Sequence, residues 1–75
     1  MAGRLPVVTG RQLLRALRRD GWFVERTGNH HILRHPSKPG SVAVPNHPSQ
    51  EIREGTLGSI LTTTGITPER LRELL

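Results

Sequence analysis

The sequence predicts an α+β domain with the order α-β-β-β-α, in which helices cover one face of a three-stranded antiparallel sheet and a short helix follows. Three observations predict it: a capped amphipathic segment near the start, three short β-rich runs separated by turn residues, and two further capped helical segments. Because 75 residues support one hydrophobic core, we expect a single domain over residues 1–75. Its core covers about residues 5–66, and the terminal helix covers about residues 68–75.

The first helix is predicted from about Gly10 to Asp20. Thr9 and Gln12 have the spacing of a capping box, in which each side chain accepts a hydrogen bond from the other residue's backbone N–H. Gly21 favours the left-handed conformation that ends a helix. The apolar side of this helix is formed by Leu13, Leu14 and Leu17.

Three β-rich runs follow, at residues 22–27, 30–35 and 41–45. Gly28-Asn29 is predicted to form the tight turn of a hairpin between the first two runs, and residues 36–40, rich in Pro and Gly, form the second turn. The runs therefore predict a small antiparallel sheet. Trp22 and Phe23 are expected in the core rather than as surfaces on which bases stack.

The second long helix has its apolar side at Leu57, Ile60, Leu61 and Thr64. Gly65 closes this helix, and Thr67 followed by Pro68 opens the short terminal helix. Gly58, inside the second helix, is expected to cost roughly 1 kcal/mol relative to Ala. The complete order matches the layout of double-stranded-RNA-binding domains, although a layout alone does not determine function.

Composition excludes several classes of protein. There is no cysteine, so a disulfide framework, a thiolate nucleophile and a cysteine zinc site are excluded. No apolar run exceeds three residues, which is too short to span a membrane or to form the centre of a signal peptide. We therefore expect a soluble cytoplasmic protein that has no membrane partner.

The positive charge is unevenly distributed along the chain. Residues 1–45 contain eight cations and two acids, whereas residues 46–75 contain three cations and four acids. Ten of the eleven cations are arginines, whose planar guanidinium pairs well with phosphate. One stripe of the first helix is formed by Arg11, Arg15 and Arg18. An ordinary solvated helix face is the alternative, but the absence of interleaved acids favours a surface that binds nucleic acid.

All four histidines lie between the first turn and the second helix: His30, His31, His35 and His47. His30 and His31 point to opposite faces of a strand, and His31 and His35 are about 13 Å apart, so we predict no metal site. Acid–base cleavage of RNA requires fewer protein groups than a metal site does. The ribose 2′-hydroxyl is itself the nucleophile, and one imidazole can accept its proton near neutral pH. The alternative for each histidine is a surface residue without a role.

The predicted hairpin would bring positive charge to one histidine. If Gly28-Asn29 is a two-residue turn, Thr27 faces His30 and Arg26 lies opposite His31, with an uncertainty of one residue in the register. Arg34 and Lys38 lie in the same region of the chain. This arrangement would place guanidinium groups next to a general base.

Several short motifs follow one another along the chain: Asp20-Gly21-Trp22, Gly28-Asn29-His30-His31, Arg34-His35-Pro36, Val42 to His47, Gly55-Thr56-Leu57, Ser59-Ile60-Leu61 and Gly65-Ile66. From about Leu5 to Ile66, this series resembles the HicA (YcfA-like) family of mRNA interferase toxins. The resemblance implies a double-stranded-RNA-binding-like fold, cleavage of mRNA and neutralisation by a HicB-type antitoxin. It also implies that His31 is the catalytic histidine, with Asn29 standing where the family usually has Ser.

The predicted site therefore centres on His31 as general base, without a metal or another cofactor. Gly28 is expected to let the RNA backbone approach closely, and His30 or His47 is a possible donor of the leaving-group proton. The residues expected to bind phosphate or flanking RNA are Arg26, Arg34, Lys38, Arg11, Arg15 and Arg18. Two alternatives remain open: a non-catalytic RNA-binding module, and a subunit of a repressing complex with the antitoxin.

Overall fold

The computed structural model describes residues 5–75. Its elements follow one another as helix α1 (Gly10–Arg19), strands β1 (Phe23–Thr27), β2 (His30–Arg34) and β3 (Ser41–Pro45), and helices α2 (Glu54–Thr64) and α3 (Pro68–Leu74). The three strands form one antiparallel sheet in the order β1-β2-β3. The predicted α+β fold, with the layout of a double-stranded-RNA-binding domain and a terminal helix, is confirmed.

Both ends of α1 form as the sequence predicts. The N–H of Thr9 donates to Gln12 Oε1 over 2.8 Å, and the N–H of Gln12 donates to Thr9 Oγ1 over 3.2 Å. These bonds complete the capping box, which satisfies two N–H groups that a helix end leaves free. After Asp20, Gly21 adopts φ +106°, a value that disfavours any residue with a Cβ.

The sheet has one covered face and one open face. Leu33, Val42 and Val44 point toward the helices and are buried, whereas Phe23 on the other face is 50% exposed. The prediction that Trp22 and Phe23 both enter the core is therefore correct only for Trp22, which is 2% exposed. The buried core is completed by Val8, Leu13, Ala16, Leu17, Leu57, Ile60, Leu61, Ile66, Leu71 and Leu74.

The hairpin register differs from the expected one. Thr27 lies opposite His31, and Arg26 lies opposite Ile32, so the predicted pairing of Arg26 with His31 is wrong by one residue. Three residues, rather than two, separate the last paired positions, and neither Gly28 nor Asn29 has the positive φ that a tight two-residue turn needs. A one-residue slip moves a side chain to the other face of the sheet.

A bulge in β1 also affects the register. Val24 pairs with Leu33 and Arg26 pairs with Ile32, so Glu25 is an extra residue on the β1 side. Bulges of this kind place two residues of one strand against one residue of the next. The bulge allows Val24 and Thr27 to point to the helix-covered face, although three positions separate them.

The last two helices end and begin at the predicted signals. Gly65 terminates α2 in the left-handed conformation, with φ +74°, and Thr67 Oγ1 accepts the N–H of Arg70 over 3.1 Å at the start of α3. Helix α3 packs on α1, where Arg19 Nη1 donates to the carbonyl oxygen of Leu74 over 2.8 Å. None of the helices within residues 5–75 has the length and hydropathy that crossing a membrane requires.

Candidate functional site

His31 lies near the turn end of the sheet, on its central strand. Its backbone pairs with Thr27 of β1 and Val44 of β3, and its half-buried side chain is on the helix-covered face, the face to which Leu33 also points. Thr27 Oγ1 is 3.1 Å from His31 Nδ1. One ring nitrogen is therefore held by a neighbouring hydroxyl.

The second ring nitrogen of His31 is free to meet a ligand. Nε2 has no hydrogen-bond partner within residues 5–75, where the one buried side-chain nitrogen or oxygen without a partner is Trp22 Nε1. Since Nε2 of His31 is unpartnered but not buried, it reaches solvent. An imidazole held at one nitrogen and open at the other has the arrangement required of a general base or acid.

Asn46 fastens the turn that precedes His31. Its backbone N–H donates to the carbonyl oxygen of Asn29 over 3.1 Å, and its side-chain Nδ2 donates to the carbonyl oxygen of Gly28 over 3.0 Å. Both bonds connect the β1–β2 turn to the end of β3. They restrict the movement of the hairpin tip and therefore of the imidazole just beyond it.

His30 and His47, the two possible proton donors, lie in different surroundings. His30 is exposed and pairs with Pro45, with its side chain on the open face of the sheet. His47 is exposed in the β3–α2 connection and lines a cleft of about 240 Å³ together with Glu51 and Arg53. The backbone around His47 packs closely against the start of α1. The space between them is so small that a Cβ on Gly10 would lie 2.7 Å from the His47 carbonyl oxygen.

His35 lies at the opposite end of the sheet, where both of its ring nitrogens have hydrogen-bond partners within the protein. Its Nδ1 accepts the N–H of Ser37 over 3.1 Å, so the ring proton is assigned to Nε2, which lies 2.8 Å from the carbonyl oxygen of Asp20. The ring packs edge-on against Trp22, with centroids 5.2 Å apart. Both nitrogens are occupied, so His35 is not available as a general base.

Lys38 belongs to the same distant cluster. Its Nζ donates to Asp20 Oδ2 over 2.8 Å and to the carbonyl oxygen of Thr64 over 3.0 Å. It also lies 5.9 Å from the Trp22 ring centroid. Arg70 reaches the other oxygen of Asp20 at 3.5 Å. The structure therefore does not bring Lys38 to His31. Lys38 connects the β2–β3 loop to the end of α1 and to α2, and Arg70 connects α3 to the same carboxylate.

Asp20 is the acidic centre of this cluster. Burial raises its pKa, but the hydrogen bond and charge of Lys38, the indole N–H of Trp22 and the charge of Arg70 together outweigh burial, and the pKa lies below its ordinary value of 3.8. The indole makes no hydrogen bond of standard geometry within residues 5–75, so we attribute the lowering chiefly to Lys38. The carboxylate stays ionised and holds the surrounding cations.

Arg26 and Arg34 lie on the open face of the sheet, opposite to the face of His31. Arg26 is exposed on the edge strand, next to Thr27, and makes no ion pair with the described part of the chain. Arg34 Nε is 3.7 Å from Glu25 Oε2 and lies at the far end of β2. Of these two arginines, Arg26 is the one near the end of the sheet that holds His31.

The arginine stripe of α1 faces solvent as the spacing predicts. No ion pair to another residue between 5 and 75 is found for its three members, Arg11, Arg15 and Arg18, which are all exposed. In contrast, the first amides of the helix are occupied, since the N–H groups of Gly10 and Arg11 donate to the carbonyl oxygens of Gln50 and Pro48. Any phosphate contact on α1 therefore comes from side chains rather than from the helix end.

Two further features bear on the predicted site. A Cβ built on Gly28 meets no atom within 4 Å, so the surface beside the turn is open to a ligand. In residues 5–75, no three His, Cys, Asp or Glu side chains come together as a metal site would require.

Thr27 and Asn46 make contacts at the site that the sequence did not predict. The hydroxyl of Thr27 reaches His31 because of the one-residue shift in register, and Asn46 reaches the turn from a position 18 residues away along the chain. A Thr at the end of one strand and a His at the start of the next were the local signal for the first contact. No local signal predicts the second contact.

A family of known proteins matches most of the chain. A family model described as the HicA toxin of bacterial toxin–antitoxin systems matches residues 10–66 of the 75-residue chain. The matched part contains α1, the whole sheet and α2, but not α3. No curated protein matches the chain at a significant level.

Proposed function

Because the chain belongs to the HicA toxin family, and is thus the toxin of a toxin–antitoxin system, we propose that it is a metal-independent endoribonuclease that cleaves mRNA. The observation that carries this proposal is the His31 imidazole, held at Nδ1 and open to solvent at Nε2. Since mRNA is the proposed substrate, we expect the protein to act in the cytoplasm.

In the proposed reaction, His31 Nε2 accepts the proton of a ribose 2′-hydroxyl. The 2′-oxygen then attacks the adjacent phosphorus, and the bond from phosphorus to the 5′-oxygen breaks. The leaving oxygen takes a proton from a general acid, for which His30 and His47 are the candidates. The products are a 2′,3′-cyclic phosphate and a free 5′-hydroxyl, so no water, metal or redox partner is consumed.

Positive side chains of β1 and α1 supply the proposed binding of RNA. Arg26 projects from the edge strand, and a phosphate that crosses this edge would contact Arg26 on one face while the neighbouring ribose meets His31 on the other. The open space at Gly28 leaves room for the RNA backbone. Arg11, Arg15 and Arg18 are proposed to bind flanking phosphates.

Because the family belongs to toxin–antitoxin systems, the toxin has an antitoxin partner. We propose a HicB-type protein that lays an acidic segment over the arginine-rich surface. Such a segment would block the entry of phosphate and would associate rapidly, because opposite charges steer the two proteins together.

The direct test is cleavage of RNA by the purified protein in excess chelator. We expect His31→Ala to abolish cleavage, and a 2′-deoxy substitution at the cleaved position to prevent it. His30→Ala and His47→Ala are measured beside it, because the variant that lacks the general acid should also cleave RNA more slowly than wild type.

Four outcomes would contradict the proposal. Cleavage that survives His31→Ala, or that survives the 2′-deoxy substitution, would reject the mechanism. RNA binding without cleavage, with the same growth arrest from wild type and His31→Ala, would favour a non-catalytic RNA-binding module. Repression of a promoter only together with the antitoxin, and no effect on RNA, would favour a co-repressor subunit.

A further inference from the structure

The hydroxyl of Thr27 and the imidazole of His31 form a pair across the hairpin. Their residues face each other in the antiparallel register, with Thr27 Oγ1 3.1 Å from His31 Nδ1. This is the one side-chain hydrogen bond of either residue in the described part of the chain. The pair flanks the turn that Asn46 holds, since Thr27 ends edge strand β1 before the turn and His31 lies on central strand β2 after it.

A neutral imidazole has only one ring N–H, and the partner of one nitrogen determines what the other can do. If Nδ1 carries the proton and donates to Thr27 Oγ1, Nε2 has a free lone pair and can accept a proton. If Thr27 donates to Nδ1 instead, the ring proton is on Nε2, and His31 cannot act as a base at the nitrogen that reaches solvent. A hydroxyl can take either role.

We propose that Thr27 is a positioning residue whose hydroxyl accepts a hydrogen bond from Nδ1–H of His31, keeping the ring proton on Nδ1 and the Nε2 lone pair directed at the ribose. This inference rests on the proposed function of His31 as general base. During proton transfer the ring becomes an imidazolium, and its Nδ1–H continues to donate to Thr27. The bond therefore orients the ring both before and after the transfer.

His35 provides an internal contrast within the same protein. Its Nδ1 accepts a backbone N–H from Ser37, which assigns the ring proton to Nε2 and leaves no free lone pair. A backbone amide is an obligatory donor, whereas a threonine hydroxyl can accept. The two histidines are therefore expected in opposite tautomers, one structural and one available for catalysis.

The experiment compares wild type, Thr27→Val and Thr27→Ser in two measurements. The first is the nitrogen-15 NMR spectrum of the histidine side chains at about pH 8.5, where imidazoles are neutral. We expect His31 to be protonated at Nδ1 in wild type and Thr27→Ser, and at Nε2 in Thr27→Val. His35 should be protonated at Nε2 in all three proteins, which also reports that the fold is intact.

The second measurement is the kinetics of RNA cleavage. Thr27→Val keeps the branched shape that suits a strand but removes the hydroxyl, so we expect kcat to fall by about 10- to 100-fold with KM changed by less than about twofold. Thr27→Ser should recover most of the wild-type rate. A loss of folding would instead disturb the His35 signals and would not be rescued by Ser alone.

Two results would overturn the role of Thr27: wild-type His31 protonated at Nε2, or Thr27→Val cleaving RNA at the wild-type rate. These results differ from a failure of the proposed function. If wild type does not cleave RNA while His31 is protonated at Nδ1, the tautomer assignment stands and the ribonuclease assignment falls.

Discussion

Arg26 and His31 lie on opposite faces of the sheet, because Arg26 pairs with Ile32 and Thr27 pairs with His31. The guanidinium therefore does not sit beside the imidazole on one surface. It is located across edge strand β1, where one RNA strand would have to pass over the edge to contact both groups. This relationship determines what removal of Arg26 should do.

Arg26→Ala should weaken the binding of RNA more than it slows the chemical step. Arg26 has no ion-pair partner within residues 5–75, so its charge is available to a phosphate. In Arg26→Ala we expect KM to rise roughly fivefold, and we expect the salt dependence of RNA binding to fall by the equivalent of about one phosphate contact. Cleavage measured at several salt concentrations checks this. Arg34→Ala is the matched control, since Arg34 already pairs with Glu25. An equal effect of both variants would contradict a contact at the β1 edge.

Asp20→Asn should destabilise the protein by about 1–2 kcal/mol at pH 7, because it removes the ionised partner of Lys38. The pKa of Asp20 lies below its ordinary value of 3.8, so the stabilisation is present above that value and is lost as the pH falls through the lower pKa of the folded state. Urea unfolding at pH 7, 5 and 3 checks this. The difference in unfolding free energy between wild type and variant should be smallest at pH 3, and an equal difference at all three pH values would contradict this role of Asp20.

Gly58→Ala and Gly10→Ala should change stability in opposite directions. A Cβ on Gly58 would lie 3.9 Å from Leu5 Cδ1, an ordinary contact, so Ala should stabilise helix α2 by about 0.5–1 kcal/mol. A Cβ on Gly10 would lie 2.7 Å from the carbonyl oxygen of His47, and Ala should destabilise by about 1–3 kcal/mol. Unfolding in urea compares the two variants. Stabilisation by both substitutions would show that helix propensity, rather than space, decides at these positions.

Asn46→Ala should loosen the hairpin tip. It removes the hydrogen bond from Nδ2 to the Gly28 carbonyl oxygen, and we expect faster amide exchange over residues 28–31 and a fall in kcat of about tenfold. Hydrogen exchange and cleavage kinetics measure the two effects. Asn29→Ala is the control, because Asn29 contributes its backbone carbonyl to this network. Unchanged exchange in Asn46→Ala would show that the backbone bond alone holds the turn.

Leu71→Ala should destabilise the protein by about 2–5 kcal/mol, although helix α3 lies outside residues 10–66, which match the family. Leu71 is 0% exposed, whereas Leu75 in the last position is 39% exposed. Thermal or urea unfolding of Leu71→Ala and Leu75→Ala separates the two positions. If both variants unfold like wild type, α3 is an appendage rather than a part of the core.

The helices could be predicted from the sequence because their signals are local. The capping box of Thr9 and Gln12, the left-handed Gly65 and the cap at Thr67 each involve residues within one turn of the helix end. The strands were recognisable from β-branched and aromatic residues between turn residues. The element order and the open sheet followed from these signals.

The candidate site was predictable only in part. The resemblance selected His31 as the catalytic residue, and this role stays a prediction. Lys38 was expected near the site but contacts Asp20 and Thr64, which are 18 and 26 residues away along the chain. Asn46 was not assigned, although it holds the turn. Contacts between distant residues depend on how the elements pack, which no local pattern encodes.

The amino-acid sequence alone settles the order of the elements, the ends of the helices and the clustering of arginine in the first 45 residues. The tertiary structure decides that Thr27, rather than Arg26, reaches the imidazole of His31. The physical reason is the period of two along a strand. A bulge at Glu25 and a turn one residue longer than expected alter the pairing, and each single-residue slip exchanges the two faces of the sheet.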